Sequence, residues 1–138
     1  MIRRPPRSTQ SRSSAASDVY KRQPWVRLVR GDLAAPVRRA DIVLANLPYI
    51  PSPEIDALEP EVSCWEPRVA LDGGPDGLGL IRALIADCAG RLRPRLLALE
   101  VGFGQAEAVA ALGQAAGAQA SCIPDLAGID RVVCLRWA

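Results

Sequence analysis

The sequence predicts an α/β fold, the later part of a doubly wound parallel sheet that ends in an antiparallel hairpin, and three observations predict it. Short apolar runs at Asp41–Asn46 and Leu96–Val101 alternate with amphipathic helical repeats at Leu78–Arg91 and Gln105–Ala116, which is the rhythm of strands covered by helices. The last two apolar runs, Ser121–Pro124 and Arg131–Trp137, are joined by a Leu-Ala-Gly turn too short for a helical crossover, so they are expected to pair antiparallel. A chain of 138 residues with 49% hydrophobic content suits one packed domain rather than two.

Taken in order, Val26-Arg27-Leu28-Val29 alternates and reads as a strand closed by Gly31-Asp32-Leu33. Asp41–Asn46 holds Ile42, Val43 and Leu44 without a break, the pattern of a more deeply buried strand. Residues 50–76, rich in Pro and closing on Asp72-Gly73-Gly74-Pro75-Asp76, read as a long ordered loop with one short helix, and loops of that length are usually functional. The first long helix puts Leu80, Ile81, Leu84, Ile85 and Cys88 on one face and is ended by Pro94; the second is stopped at Gly117. Leu33 to Ala40 is short for a connection between parallel strands, so spacing leaves the strand order open. In such sheets ligands sit beyond the carboxyl ends of the strands, which singles out Asp32, Asn46 and Gly102.

Charge is unevenly placed. Of 17 basic and 15 acidic residues, the first 23 hold six and one, which leaves 11 against 14 and a charge of −3 on residues 24–138. A basic footprint for nucleic acid is therefore missing from the part expected to fold. Residues 1–23 also hold the single Lys and five of the eight Ser, without the apolar stripe of a targeting helix. They resemble translated adaptor sequence, so the leader is expected to be foreign to the fold. The corollary expectation is that residues 24–138 are the C-terminal part of a domain that began further upstream.

No apolar segment is long and uncharged enough to cross a bilayer, since Arg82, Asp87 and Glu100 interrupt the longest ones. The chain has no His, and Cys64, Cys88, Cys122 and Cys134 lack metal-ligand spacing. This excludes a His-assisted nucleophile and predicts no metal site. Reduced, mostly buried thiols in a cytoplasmic protein are the expectation.

The chemistry concentrates where the second strand runs into Asn46-Leu47-Pro48-Tyr49. The Asn46 side-chain carbonyl can accept a hydrogen bond from a planar NH2 group. Pro48 restricts Leu47 to extended backbone and can aim the Leu47 carbonyl outward as a second acceptor. Tyr49 offers a flat face to the bound group and to a cation. Two acceptors and an aromatic wall suit an amide or exocyclic amine nitrogen presented to a sulfonium methyl donor. The same four letters also serve as a plain strand end and turn.

In order and register, GDL at 31–33, ANLPYIPS at 45–52, LEPEV at 58–62, EPRVALDGGPDGL at 66–78 and DLAGIDRVV at 125–133 resemble the release-factor glutamine N5-methyltransferases. That resemblance implies a Rossmann-like class I methyltransferase domain that uses S-adenosylmethionine. Its implied partners are peptide-chain release factors, methylated on the glutamine amide of their Gly-Gly-Gln motif, with no nucleic acid and no membrane. By resemblance, Asn46, Leu47, Pro48 and Tyr49 take the place of the family's Asn-Pro-Pro-Tyr and hold the target amide, with Asn46, Pro48 and Tyr49 as the catalytic set. Asn46 also adjoins the cofactor, Asp32 and Leu33 lie beside its adenine, and Glu66, Pro67 and Arg68 fix the loop.

Leu47 stands where the family has its first Pro, and Asn-Leu-Pro-Tyr also resembles the ribosomal-RNA adenine dimethyltransferases. The family's glycine-rich cofactor loop and acidic ribose ligand are expected upstream of Val26. A Gly-x-Gly in LALEVGFGQAEAV, residues 97–109, offers a permuted alternative of the DNA-adenine type, which the charge of −3 disfavours. The remaining alternative is a non-enzymatic remnant; if a fragment, the chain is expected to be inactive alone.

Overall fold

The structure, a computed structural model, describes residues 27, 29–58 and 66–138. The leader 1–23, Cys64 and all but Leu58 of the 58–62 motif lie outside the described residues. So do Val26 and Leu28 of the expected first strand, while Arg27 and Val29 belong to no strand. The chain divides into two units, residues 1–31 and 32–138. In the first, only Arg27 and residues 29–31 are described, without regular structure. The second holds every helix and strand of the described residues.

Unit 32–138 is built on a four-stranded mixed sheet. Its strands are β1 (Ile42–Asn46), β2 (Leu96–Glu100), β3 (Gln119–Pro124) and β4 (Asp130–Arg136), in the order β1-β2-β4-β3. β1 runs parallel to β2, with Ile42 opposite Leu96 and Asn46 opposite Glu100. β4 is antiparallel to both its neighbours. The expected terminal hairpin is thus present, with a register irregularity between Ile123 and Pro124, where proline cannot donate to the ladder.

Two helices cover the sheet's apolar positions: α1 (Gly79–Asp87) and α2 (Ala106–Ala115). Ile81, Leu84, Ile85 and Cys88 are buried, the three- and four-residue spacing that makes one helical stripe. They join Leu97 and Leu99 of β2, Val133 and Leu135 of β4 and Val109 of α2 in one core. α2 lies so close to β4 at Gly113 that a Cβ there would stand 2.2 Å from a Leu135 methyl. Only a glycine fits that crossing without repacking.

Three expectations need correction. β1 is not buried on both faces: Ile42 is 59% and Leu44 75% exposed, because they point away from the core face, to which Val43 and Ala45 turn. The helix expected over Leu78–Arg91 is α-helical only to Asp87; Cys88–Leu92 widens into a π turn that the Arg93 N–H closes on the Cys88 carbonyl at 2.8 Å, with Arg93 left-handed at φ 47° and Pro94 following. Among its described residues the long loop carries two 3₁₀ turns rather than one short helix, Ser52–Ala57 and Arg68–Ala70.

Of the cysteines described, Cys88 and Cys134 are buried and Cys122 is exposed, all free. Burial pushes the Cys88 thiol up to about 11, so it is inert at neutral pH.

Candidate active site

Asn46 is the last residue of β1 and is exposed, at the end where the parallel pair β1–β2 finishes on Asn46 and Glu100. The chain then leaves the sheet through Leu47, Pro48 and Tyr49, all half-buried, with Leu47 and Tyr49 packed against the core. Asn46 to Ile50, Ala70 and Leu71 line a cleft of about 250 Å³. The four residues of the tetrad therefore share one concavity.

A second, more open groove of about 470 Å³ runs along β1 and includes Leu33, Ala34, Val37, Leu44, Asn46 and Leu47. Asn46 and Leu47 belong to both spaces. Leu33 is thus brought to the groove that Asn46 opens, whereas Asp32 does not line it. Asp32 is exposed and starts a turn instead, its carbonyl accepting from the Ala35 N–H at 3.0 Å. Leu33 in that turn has φ 44°, a left-handed conformation that costs a non-glycine residue about 1–2 kcal/mol.

Arg91 holds that turn in place. Its guanidinium donates to both Asp87 carboxylate oxygens, at 2.7 and 2.6 Å, to the Ala34 carbonyl at 2.9 Å and to the Val37 carbonyl. The planar fork of Arg suits such a shared set of acceptors. No periodicity or motif in the sequence connects Arg91 to Ala34.

The loop after the tetrad is fastened just as firmly. Ile50 bridges Asp72: its N–H donates to the Leu71 carbonyl at 3.0 Å and its carbonyl accepts from the Gly73 N–H at 2.9 Å. The Ser52 N–H donates to the Gly74 carbonyl at 2.9 Å. The Asp72 carboxylate gathers the Ser52 hydroxyl at 2.6 Å, the Gly74 N–H at 2.9 Å and Arg68 Nε at 3.4 Å. The Ser52 hydroxyl bond, then the Gly74 N–H, hold the Asp72 carboxyl below its usual range. Arg68 also reaches Asp56 at 3.2 Å, so the expected loop-fixing role falls to it, while Glu66 and Pro67 are exposed.

Just ahead of α1, Asp76 accepts the Leu78 N–H at 3.1 Å and pairs with Arg82 through both oxygens. The Arg82 bonds, with the Leu78 N–H, pull its carboxyl down to about 2.

Tyr49 is reached from a third direction. Gln105 Nε2 donates to the Tyr49 carbonyl at 2.8 Å, and Gln105 Oε1 accepts from the Gly102 N–H at 2.9 Å. Sequence singles out Gly102 as a strand end and the Gly-x-Gly as the permuted alternative, and Gln105 carries no local signal for this role.

The arrangement offers a carboxamide at a strand end, an aromatic ring beside it, and an apolar groove that shares Asn46. Among the described residues no group of His, Cys, Asp and Glu could hold a metal ion. No described helix is long and apolar enough to cross a membrane.

No protein-family profile matches the chain. Its sequence is 52% identical over 95 residues to a release factor glutamine methyltransferase of Caulobacter vibrioides, covering 67% of this chain and 33% of that protein. The correspondingly named protein of Cereibacter sphaeroides is 50% identical over 106 residues, covering 75% and 38%, and that of Gloeobacter violaceus 50% over 120, covering 82% and 42%. The chain belongs to the release factor glutamine methyltransferase family. It spans between 33% and 42% of the length of these curated family members.

Proposed function

We propose that residues 24–138 form the C-terminal part of a Rossmann-like class I methyltransferase domain. Its reaction is N-methylation of the glutamine side-chain amide in the Gly-Gly-Gln motif of peptide-chain release factors, in the cytoplasm, with S-adenosylmethionine as cofactor. The observation that carries this reading is the placement of Asn46-Leu47-Pro48-Tyr49 at the carboxyl end of β1, opening on a cleft, in a chain of this family.

The residues fit the cofactor in kind. A groove lined by Leu33 and other apolar side chains and ending at Asn46 offers a flat apolar wall to a purine and a carboxamide to its polar edge. Leu33 and Asn46 line that groove and are the residues we assign to the cofactor, with Asp32 adjoining Leu33 in the turn beside it. S-adenosylmethionine supplies an electrophilic methyl group on a sulfonium centre.

An amide nitrogen is a poor nucleophile because its lone pair is delocalised, so the protein's task is placement and electrostatics. The Asn46 Oδ1 and the Leu47 carbonyl accept from the two N–H groups of the target amide, fixing its plane. As positive charge develops on that nitrogen, both oxygens stabilise it without reorganising. The Tyr49 ring walls the site and excludes water. Pro48 keeps the Leu47 carbonyl directed. None of these roles needs a histidine.

The test is a graft in which the matching stretch of this chain replaces that of the Caulobacter vibrioides relative, assayed for methyl transfer to a release factor. Asn46→Ala should lower kcat about 100-fold, with a much smaller change in KM for S-adenosylmethionine. Equal rates for parent and variant would refute the assignment.

A further inference from the structure

We infer that Gln105 is a positioning residue for the tetrad, holding the Tyr49 backbone against the turn after β2. The inference rests on the reading of Asn46–Tyr49 as the amide site. Gln105 uses both ends of one carboxamide: its Nε2 donates to the Tyr49 carbonyl at 2.8 Å while its Oε1 accepts from the Gly102 N–H at 2.9 Å. Residues 56 positions apart are thereby joined by one half-buried side chain. Gly102 is itself fixed, since the preceding Val101 N–H donates to the Arg131 carbonyl at 3.0 Å. The tether therefore runs from the central strands to Tyr49.

The space around the tether admits no slack. A Cβ at Gly77 would stand 2.2 Å from the Tyr49 carbonyl oxygen and 2.9 Å from Gln105 Nε2, and Gly77 has φ 74°. A Cβ at Gly102 would stand 2.9 Å from Gln105 Oε1 and 3.0 Å from Tyr49 Cδ2. Two glycines thus let three chain segments close on one carbonyl, and the aromatic ring rests against Gly102. Of the Gly-x-Gly at residues 102–104, Gly102 serves this contact.

A carboxamide is required because one end must donate and the other accept. Gln105→Glu keeps the acceptor for Gly102 but faces the Tyr49 carbonyl with a carboxylate oxygen. Gln105→Met fills similar space and makes neither bond. Loss of a buried hydrogen bond that orients a reacting group acts on the rate more than on affinity for a ligand held elsewhere.

The experiment has two arms. In the first, the full 138-residue chain is labelled with 3-fluorotyrosine and followed by ¹⁹F NMR. Tyr20 and Tyr49 are its only tyrosines, and Tyr49→Phe assigns the signals. Gln105→Glu and Gln105→Met should shift or broaden the Tyr49 resonance. In the second arm the graft carries the same substitutions, and kcat should fall about tenfold while KM for S-adenosylmethionine changes less than about twofold. If Gln105→Met unfolds the chain, Gln105→Glu, which keeps the Gly102 bond, decides.

A Tyr49 resonance unmoved in both variants overturns the inference, and so does a moved resonance with an unchanged kcat. Full activity of Gln105→Met would assign the residue to packing alone and overturn it equally. An unsubstituted graft that fails to methylate any release factor counts against the proposed function instead, and the NMR arm then decides the tether by itself.

Discussion

Leu47 and Pro48 separate two ways in which a residue can serve a site, through its side chain or through its backbone. The Leu47 side chain is half-buried against the core, yet the group assigned to the substrate is its carbonyl. In the graft, Leu47→Pro should keep kcat within about threefold while lowering stability by about 1 kcal/mol through lost packing. Pro48→Gly should lower kcat about tenfold by freeing the backbone; full rate in Pro48→Gly with loss in Leu47→Pro would invert the assignment. The tetrad could be read from the sequence because polar Asn and Pro-Tyr interrupt an apolar run, a local signal. Gln105 and Arg91 could not, since each acts on backbone carbonyls far away in the chain, and a carbonyl carries no sequence signature.

At the scale of the elements, the approach to α1 depends on charge. Asp76 has its carboxyl pulled from 3.8 to about 2 by Arg82 and the Leu78 N–H. A depressed carboxyl stabilises the fold fully above its unfolded value, and that contribution is lost as pH falls through the folded one. The parent chain should therefore melt higher than Asp76→Asn at pH 5, and the difference should vanish between pH 3.8 and about 2. Melting curves recorded across that interval check it; a difference that persists below the interval would contradict the pairing. Asp72 and Asp125 are shifted the same way, so the loop after the tetrad and the hairpin turn should loosen in acid as well. The helices were legible from their stripes and the hairpin from its short turn. The π turn was not, because Cys88 and Leu92, both buried, keep the same four-residue spacing whether the last turn is α or π. The exposure of Ile42 and Leu44 was hidden for another reason: an apolar run encodes what a strand needs covered, and the covering need not lie in the neighbouring sequence.

For the whole molecule, the groove along β1 holds Leu33 and Asn46, and the proposed assignment leaves most of S-adenosylmethionine without an assigned contact. The chain also spans about a third of its Caulobacter relative, and β1 exposes Ile42 and Leu44. By itself the 138-residue chain should show no micromolar binding of S-adenosylmethionine in titration calorimetry, and no methyl transfer, since the donor would be neither held nor aimed. A measurable Kd in that range would mean that the groove and its neighbours suffice. The sheet order has a consequence in time. β4 follows β3 in the chain but lies between β2 and β3, so on a translating ribosome β3 emerges before the strand that ties it to the sheet. Without Asp130–Arg136 in place, β3 has no partner that joins it to β2 and stays an unpaired ribbon. The hairpin therefore joins the sheet through β4 alone, and a change that unseats β4 unseats β3 with it.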